Sequence, residues 1–167
     1  VYLLAISLIK DVNRLFRYHG AEHRVVYNFE SGKEVNVENA QSFPTQHPRC
    51  GTSFLFIVLL SAILVFAMVD TIVIYFLGTI SLPIRLLLHL PMIPFVSGIG
   101  YEIIKLSSKS DSFFFSILKK PGLLLQNITT KQPEDDMVVV SITALKEAFG
   151  DQYKDMVGKE YTAEAIG

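Results

Sequence analysis

Residues 54–77 read FLFIVLLSAILVFAMVDTIVIYFL and carry one charge, at Asp70. An α-helix rises about 1.5 Å per residue, so a segment of this length crosses a hydrocarbon core of about 30 Å. No polar stripe divides the segment into a water-facing side and a core-facing side. The stretch therefore predicts a membrane-spanning helix, against the alternative of a buried helix in a soluble protein.

A second apolar segment follows after the short connection at residues 78–81. Residues 82–104 contain Arg85, His89 and Glu102, together with three prolines and two glycines. Prolines and glycines at membrane depth expose backbone groups that neighbouring helices must satisfy. The two segments together predict an all-α membrane protein built on a helical transmembrane hairpin.

The first nine residues, 1–9, form a nearly unbroken apolar run that stops at Lys10 and Asp11. Nine residues reach only about half way across a bilayer. The run also lacks the charged start and the cleavage site of a signal peptide. We expect the end of a truncated transmembrane helix, a partial N-terminal span whose upstream residues are missing.

Lysine and arginine set the expected orientation. Residues 10–53 contain six of them, the residues after 104 contain eight, and the connection at 78–81 contains none. The positive-inside rule then predicts that residues 10–53 and 105–167 are cytoplasmic in a multi-pass protein. A net charge of −1 without a long basic block argues against nucleic acid as a partner. The expected partner is the lipid bilayer, with a homo-oligomer or contacts to other membrane proteins left open.

The parts outside the hairpin are expected to be small and mostly helical. Apolar residues recur at helical spacing between residues 11 and 30, which predicts a helix. Residues 33–37 alternate between polar and apolar, which is typical of a short strand. Residues 42–53 carry two prolines and predict a loop.

Residues 111–150 predict two further helices. The stretch DSFFFSILKKPG, with Asp111 as N-cap, predicts an amphipathic helix at the membrane interface that ends at its Pro-Gly pair. The stretch from Pro133 to Gly150 begins with acidic residues and ends in glycine, which predicts a cytoplasmic amphipathic helix. Residues 151–167 are polar and predict a mobile tail.

The segment YHGAEH, residues 18–23, carries the clearest chemical pattern. His19 and His23 are four residues apart, so on a helix both rings project from one face and can share a cation. Glu22 completes the order H-x-x-E-H, in which two histidines bind zinc and the glutamate acts as general base. A pattern of five residues also occurs by chance in other proteins. The alternatives are that His19 and His23 are polar residues beside lipid headgroups, and that Glu22 forms a salt bridge.

The segment QHPRCGTS places His47 and Cys50 three residues apart around a proline. One nitrogen and one sulfur in a tight loop commonly form half of a zinc site. As the single cysteine of the chain, Cys50 cannot form an internal disulfide. The sequence thus predicts a zinc site from His19, His23, His47 and Cys50. A hydrogen-bonding role for His47 and a packing role for Cys50 stay open.

Charged residues inside the hairpin suggest two further roles. Glu102 lies at the cytoplasmic end of its span, where it could bind the metal, orient a ligand, or extend to the interface. Asp70 and Arg85 both fall in the outer half of the bilayer and are predicted to form a structural ion pair. His89, one turn from Arg85, is expected to hydrogen-bond the partner helix.

Four motifs carry a family resemblance: FRYHGAEH, HPRCGTSF, GIGYEIIK and PGLLLQNITTKQPEDD, in this order between residues 10 and 145. They resemble a bacterial integral membrane family typified by YqhQ, of unknown function and described as predicted metal-dependent enzymes. The resemblance implies a multi-span protein of the bacterial inner membrane whose signature includes His19, Glu22, His23, His47, Cys50 and Glu102. It also implies an additional N-terminal region, which this sequence lacks. If that region supplies a ligand, the site in this chain is incomplete.

Three functions are compatible with these features. The first is a membrane-embedded zinc-dependent hydrolase at the cytoplasmic face, with His19, His23 and either His47 or Cys50 as ligands. If all four residues bind, the shell is closed, and the alternative is a scaffold or assembly protein with a structural zinc site. The third is a transporter or channel component that uses the charged residues of the spans.

Overall fold

A computed structural model describes residues 2–109 and 112–161 of the chain. Its helices are α1 (Tyr2–Ser7), α2 (Lys10–Glu30), α3 (Val37–Gln41), α4 (Gly51–Leu77), α5 (Leu82–Lys109), α6 (Phe113–Thr129), α7 (Asp135–Phe149) and α8 (Tyr153–Met156), the last preceded by a 3-10 turn. Within these two ranges no strand occurs, and one isolated bridge joins Ser31 to Glu160. The predicted all-helical fold is confirmed.

The chain divides into two compact units. The first unit contains the residues as far as His47 and those from Leu123 onward. The second unit runs from Pro48 to Gly122. The boundaries fall directly after His47, within the loop between α3 and α4, and inside α6.

The second unit is centred on the hairpin of α4 and α5. Among the described residues, these two helices are long and apolar enough to cross a membrane, with mean hydropathies of 2.8 and 1.5. Most of their large apolar side chains are exposed, as lipid-facing side chains are. The helices approach closely at Gly100, where an added Cβ would lie 2.6 Å from Val58 Cγ2.

The first unit has a small core formed by α2, α3 and α7. Val25 and Phe29 of α2 are buried against Val138 and Ile142 of α7. Each side chain of this size contributes about 1.5–3 kcal/mol when fully buried. The core faces of α2 and α7 follow the helical spacing expected from the sequence, so burial of these two stripes fixes α2 against α7.

The prediction that the Pro-Gly pair ends the interfacial helix is wrong, because α6 continues through it to Thr129. Pro121 removes one backbone donor but leaves the helical path intact. Gly122 serves close packing, since an added Cβ there would lie 2.6 Å from Ser53 Oγ. The expected N-cap, Asp111, lies outside the described residues.

The strand expected at residues 33–37 is absent, and the alternation has another cause. Val35 is buried in the core of the first unit. Asn36 is the N-cap of α3, and its side chain accepts a hydrogen bond from the backbone N–H of Asn39 at 2.8 Å. A capped helix start of this kind satisfies an orphan donor locally and so competes with strand pairing.

Residues 151–161, expected to begin a mobile tail, form helical turns packed on the first unit. Tyr161 donates its backbone N–H to Glu30 O at 2.9 Å, and its ring stacks on Phe29 with centroids 5.2 Å apart. Tyr153 also packs there, and burial raises the pKa of its phenol. The part of the expected tail at 162–167 lies outside the described residues.

Candidate metal centre

Helix α2 places the two histidines of the HGAEH motif side by side. His23 is buried and His19 is half-buried, and their ring centroids are 4.4 Å apart. This separation follows from the four-residue spacing, which stacks side chains one turn apart on the same helix face. The rings are therefore close enough to present nitrogen atoms to one ion.

Each of these rings is fixed by a backbone carbonyl. His19 Nδ1 lies 2.9 Å from Thr129 O, and His23 Nδ1 lies 2.6 Å from Thr45 O. A carbonyl oxygen can only accept, so Nδ1 donates in both rings and the neutral imidazole carries its lone pair on Nε2. Metal-binding histidines are held in this way, with the second ring nitrogen bonded to a carbonyl or carboxylate.

Gly20, between the two histidines, allows the segment that holds His19 to cross α2. An added Cβ on Gly20 would lie 2.1 Å from Lys131 O, and Lys131 N donates to Phe16 O at 2.9 Å. A residue with any side chain would force this backbone away from the helix. Glycine in mid-helix costs about 1 kcal/mol relative to alanine, and the close crossing offsets that cost.

His47 is held by its backbone and surrounded by polar and aromatic groups. The buried Gln126 amide accepts from His47 N at 2.7 Å and donates to His47 O at 2.8 Å. The ring lies 5.6 Å from His23 and 4.5 Å from Tyr27, centroid to centroid. Its Nε2 is 3.7 Å from Glu30 Oε2, so this nitrogen faces a carboxylate.

Glu22 projects from α2 into a groove between α2 and α7. The groove has a volume of about 620 Å³ and is also lined by His19. The Glu22 side chain is exposed, in contrast to the buried His23 one residue later. A carboxylate beside an imidazole in an open groove is accessible both to water and to a bound molecule.

Arg24, next to His23, bonds α2 to the two segments whose backbone carbonyls accept hydrogen bonds from the histidine rings. Its guanidinium donates to Gln41 O at 2.9 Å, to Gln41 Oε1, and to Gln132 Oε1 at 2.7 Å. Burial lowers the pKa of Arg24. These bonds stabilise the loop around Thr45 and the segment around Thr129 by fixing their neighbours in the chain.

Cys50 and Glu102 belong to the second unit. Cys50 is the N-cap of α4, where its Sγ accepts from the backbone N–H of Thr52 at 3.4 Å. Two residues separate it from His47 in the sequence. Glu102 is exposed on α5. The metal-binding role predicted for Cys50 and the ligand or orienting role predicted for Glu102 stay predictions.

The hairpin contains a separate cluster of charged groups. Arg85 Nη2 lies 3.1 Å from Asp70 Oδ2, and His89 Nε2 lies 3.0 Å from Asp70 Oδ1. The His89 ring also stacks on Phe66 with centroids 4.2 Å apart. Asp70 and Arg85, predicted to pair, thus form an ion pair between α4 and α5, with His89 bonded to the same carboxylate.

Four residues that hold the histidines were missed by sequence reasoning: Gly20, Thr45, Gln126 and Thr129. The glycine gave a signal, because a glycine inside a helical pattern indicates a close backbone approach. The two threonines act through their backbone carbonyls, which every residue possesses, so no side chain at these positions could indicate the role. Gln126 lies in a stretch that also matches the resembled family, but its polarity alone predicts exposure.

Comparison with known proteins places the chain in a family. A family model described as a protein of unknown function (DUF1385) matches residues 1–151. The chain belongs to this family. The resemblance seen in the four motifs is thereby confirmed.

One relative, "Uncharacterized protein YqhQ" of Bacillus subtilis (strain 168), is 35% identical over 147 residues. The match covers 87% of this chain and 44% of the relative, so the chain spans less than half the length of that relative. No solved structure matches the chain.

Proposed function

We propose that this chain is a membrane-embedded, metal-dependent hydrolase that uses zinc and acts at the cytoplasmic face. The observation that carries the proposal is the pair of rings on α2. His19 and His23 each donate Nδ1 to a backbone carbonyl, and both carry their lone pair on Nε2. Two oriented imidazoles of this kind suit zinc.

The proposed third ligand is Cys50, with His47 outside the ligand set. His47 Nε2 faces the Glu30 carboxylate at 3.7 Å, so this nitrogen already has an electrostatic partner. A sulfur at a helix N-terminus favours the thiolate, which is the form that binds metal. Two nitrogens and one sulfur leave one coordination position for water, as catalytic zinc sites require.

Zinc bound to these residues would supply Lewis acidity and a water that ionises near neutral pH. Glu22 is proposed to take the proton of the attacking water and to return it to the leaving group. Its exposed position in the groove beside His19 supports this role, because water and substrate both reach it. The carbonyls of Thr45 and Thr129 keep the rings oriented throughout.

The proposed membrane arrangement places α4 and α5 across the bacterial inner membrane, with both ends of the hairpin cytoplasmic. The length and hydropathy of the two helices support this arrangement, as does their exposed apolar surface. The asymmetry of lysine and arginine supports the orientation. The histidines of α2 would then lie on the cytoplasmic side.

A structural zinc site is the second candidate function. The buried His47 ring lies 5.6 Å from the His23 ring, so a modest rotation could bring a fourth ligand to the ion. Four ligands would close the shell and fix the loop to α2. The protein would then be a scaffold, and Glu22 would have no chemical role.

Zinc content per chain tests the metal site. Protein purified without chelators is compared with a His19→Ala/His23→Ala variant and with His89→Ala, a matched control in the hairpin. We expect near-stoichiometric zinc in the parent and in His89→Ala, and loss in the double variant. Absence of metal from the parent would overturn both candidate functions.

Two further measurements separate the enzyme from the scaffold. X-ray absorption spectroscopy counts the ligands, and three protein ligands plus an oxygen support the enzyme. Glu22→Gln is expected to retain zinc and to lower ester hydrolysis at least about a hundredfold, as removal of a general base does. Four protein ligands together with an unaffected Glu22→Gln variant would favour the scaffold.

A further inference from the structure

The groove beside His19 and Glu22 is mostly apolar, and its composition restricts what it binds. Polar groups come from Tyr18, His19 and Glu22 on α2 and from Ser141 on α7. The other lining residues are apolar: Leu15, Phe16, Val25, Val26, Val140, Ala144, Leu145 and Ala148. A volume of about 620 Å³ falls in the usual range of ligand pockets, about 300–1,000 Å³. The occupant is therefore a molecule with a long apolar part and one polar end.

We propose that the groove binds the acyl chain of a membrane lipid and presents its ester linkage to Glu22 and His19. This inference rests on the proposed hydrolase function, for which it names the substrate class. The apolar walls receive the hydrocarbon chain, and the polar residues on α2 receive the linkage.

The backbone of the groove favours an acyl chain over a peptide. Both walls are α-helices, α2 and α7, whose backbone N–H and C=O groups bond within each helix. An extended peptide brings one donor and one acceptor per residue, and these groups require partners when buried. An acyl chain has no such groups, so it can occupy a groove with helical walls without leaving polar atoms unpaired.

The bilayer is the source of such a molecule. Helix α1, which leads into α2, exposes large apolar side chains, with Tyr2 74% and Leu4 55% exposed. Leu15, 63% exposed, is the groove residue nearest to α1 along α2. Exposed apolar side chains thus occur both on α1 and at the end of the groove nearest to α1 along the chain, as expected of surfaces that meet lipid, with the charged Lys10, Asp11 and Arg14 between them.

The charge of Glu22 selects the polar end. A carboxylate in the groove repels the anion of a free fatty acid, whereas an uncharged ester linkage can bind there without such repulsion. Hydrolysis joins the water oxygen to the acyl carbon and breaks the bond from that carbon to the alcohol oxygen. The water proton passes through Glu22 to that oxygen, giving a fatty acid and an alcohol. Repulsion between Glu22 and the ionised acid product would favour its release.

A photoreactive lipid tests the inference directly. Full-length chain is reconstituted into phosphatidylcholine vesicles doped with a phosphatidylcholine that carries a diazirine in its acyl chain. Labelled peptides are then mapped by mass spectrometry. We expect labelling at the groove residues of α2 and α7, and a loss of about tenfold in Ala144→Phe, which fills the groove. Such a loss corresponds to about 1.4 kcal/mol.

Thr143→Phe is the matched control, because Thr143 is exposed on the same helix and does not line the groove. Its labelling should equal that of the parent. Equal labelling of Ala144→Phe and the parent would overturn the inference. Groove labelling by a photo-leucine peptide, with none by the lipid, would overturn it in favour of a peptide substrate.

The same experiment separates this inference from the proposed function. Acyl-chain labelling depends on the apolar walls of the groove, so it should persist in chelator-treated protein, which keeps every groove residue. Groove labelling in a parent protein that is found to bind no zinc would reject the hydrolase and leave a lipid-binding groove. Zinc and esterase activity without groove labelling would reject the lipid assignment alone.

Discussion

His23 on α2 is buried and His89 on α5 is half-buried, and the two rings differ in the groups that they contact. His23 donates to the carbonyl of Thr45, a neutral group that fixes the ring and leaves the lone pair on Nε2. His89 is bonded through Nε2 to Asp70, which also pairs with Arg85. The His23 ring also lies beside a second imidazole, whereas the His89 ring completes a charged cluster with Asp70 and Arg85, and this difference separates a candidate ligand from a structural group.

The same contrast extends to the two units. In the first unit, backbone groups from distant segments converge on α2 and hold its side chains in defined orientations. In the hairpin, charged side chains satisfy one another, which is how ionisable groups persist in apolar surroundings. We expect changes at the histidines of α2 and their backbone partners to alter zinc binding as well as stability, and changes to the hairpin cluster to alter stability alone.

The largest effect is expected at the crossing over Gly20. Gly20→Val should destabilise the protein by about 4 kcal/mol, more than ordinary overpacking, because the obstructing atom is the backbone oxygen of Lys131. It should also reduce zinc affinity, since Thr129 moves away with Lys131. Thermal unfolding and zinc titration check both effects. Gly98→Ala in α5, where an added Cβ meets nothing within 4 Å, should be neutral.

A smaller effect is expected at Gln126. Gln126→Leu leaves the backbone N–H and C=O of His47 buried without their present partner, at about 1–3 kcal/mol for each group. We expect a loss of about 2–4 kcal/mol in chemical denaturation. Gln46→Leu, at a half-buried residue bonded to the exposed Asn127, should cost well under half as much. Equal losses would contradict the role of the Gln126 clamp.

Next in size is the hairpin cluster. Asp70→Leu should cost about 2–3 kcal/mol, reduced from the value for fully buried pairs because Arg85 is 45% exposed. The triple variant Asp70→Leu/Arg85→Leu/His89→Leu should recover most of the loss, since no charge then lacks a partner. Zinc content should be unchanged in both. A zinc loss in either variant would break the division between chemistry and stability.

The smallest effect is expected at the ion pair between Arg17 and Glu134, which joins α2 to the start of α7. Both side chains are well exposed, so the pair contributes about 0–1 kcal/mol. Arg17→Gln should shift the unfolding midpoint only slightly, and less at high salt than at low salt. A loss above about 2 kcal/mol would show that this contact is buried in the working protein.

The helices were predictable because each has a strong local signal. Hydropathy indicated α4 and α5, and helical periodicity with acidic and glycine punctuation indicated α2 and α7. The end predicted at Pro121 failed because packing of Gly122 on Ser53 overrode the local breaker signal. The strand predicted at residues 33–37 failed because the cap at Asn36 satisfies the backbone locally.

The candidate site was predictable only in part. The spacing of His19 and His23 on a helix indicated that the rings share a face. Their orientation depends on carbonyls 110 and 22 residues away, and a carbonyl carries no sequence signal. The groove was not predictable either, because it results from small residues of α7 facing α2 across the tertiary fold.

The bond between His19 and Thr129 also sets an order of events during synthesis. The two residues are 110 positions apart, and at about 5–20 residues per second the ribosome needs roughly 5–20 seconds to add the second after the first. Both helices of the hairpin are made within that interval. The nascent chain therefore carries an unoriented His19 until α4 and α5 have been synthesised. Under the proposed function, loading with metal would then be a late step of biogenesis.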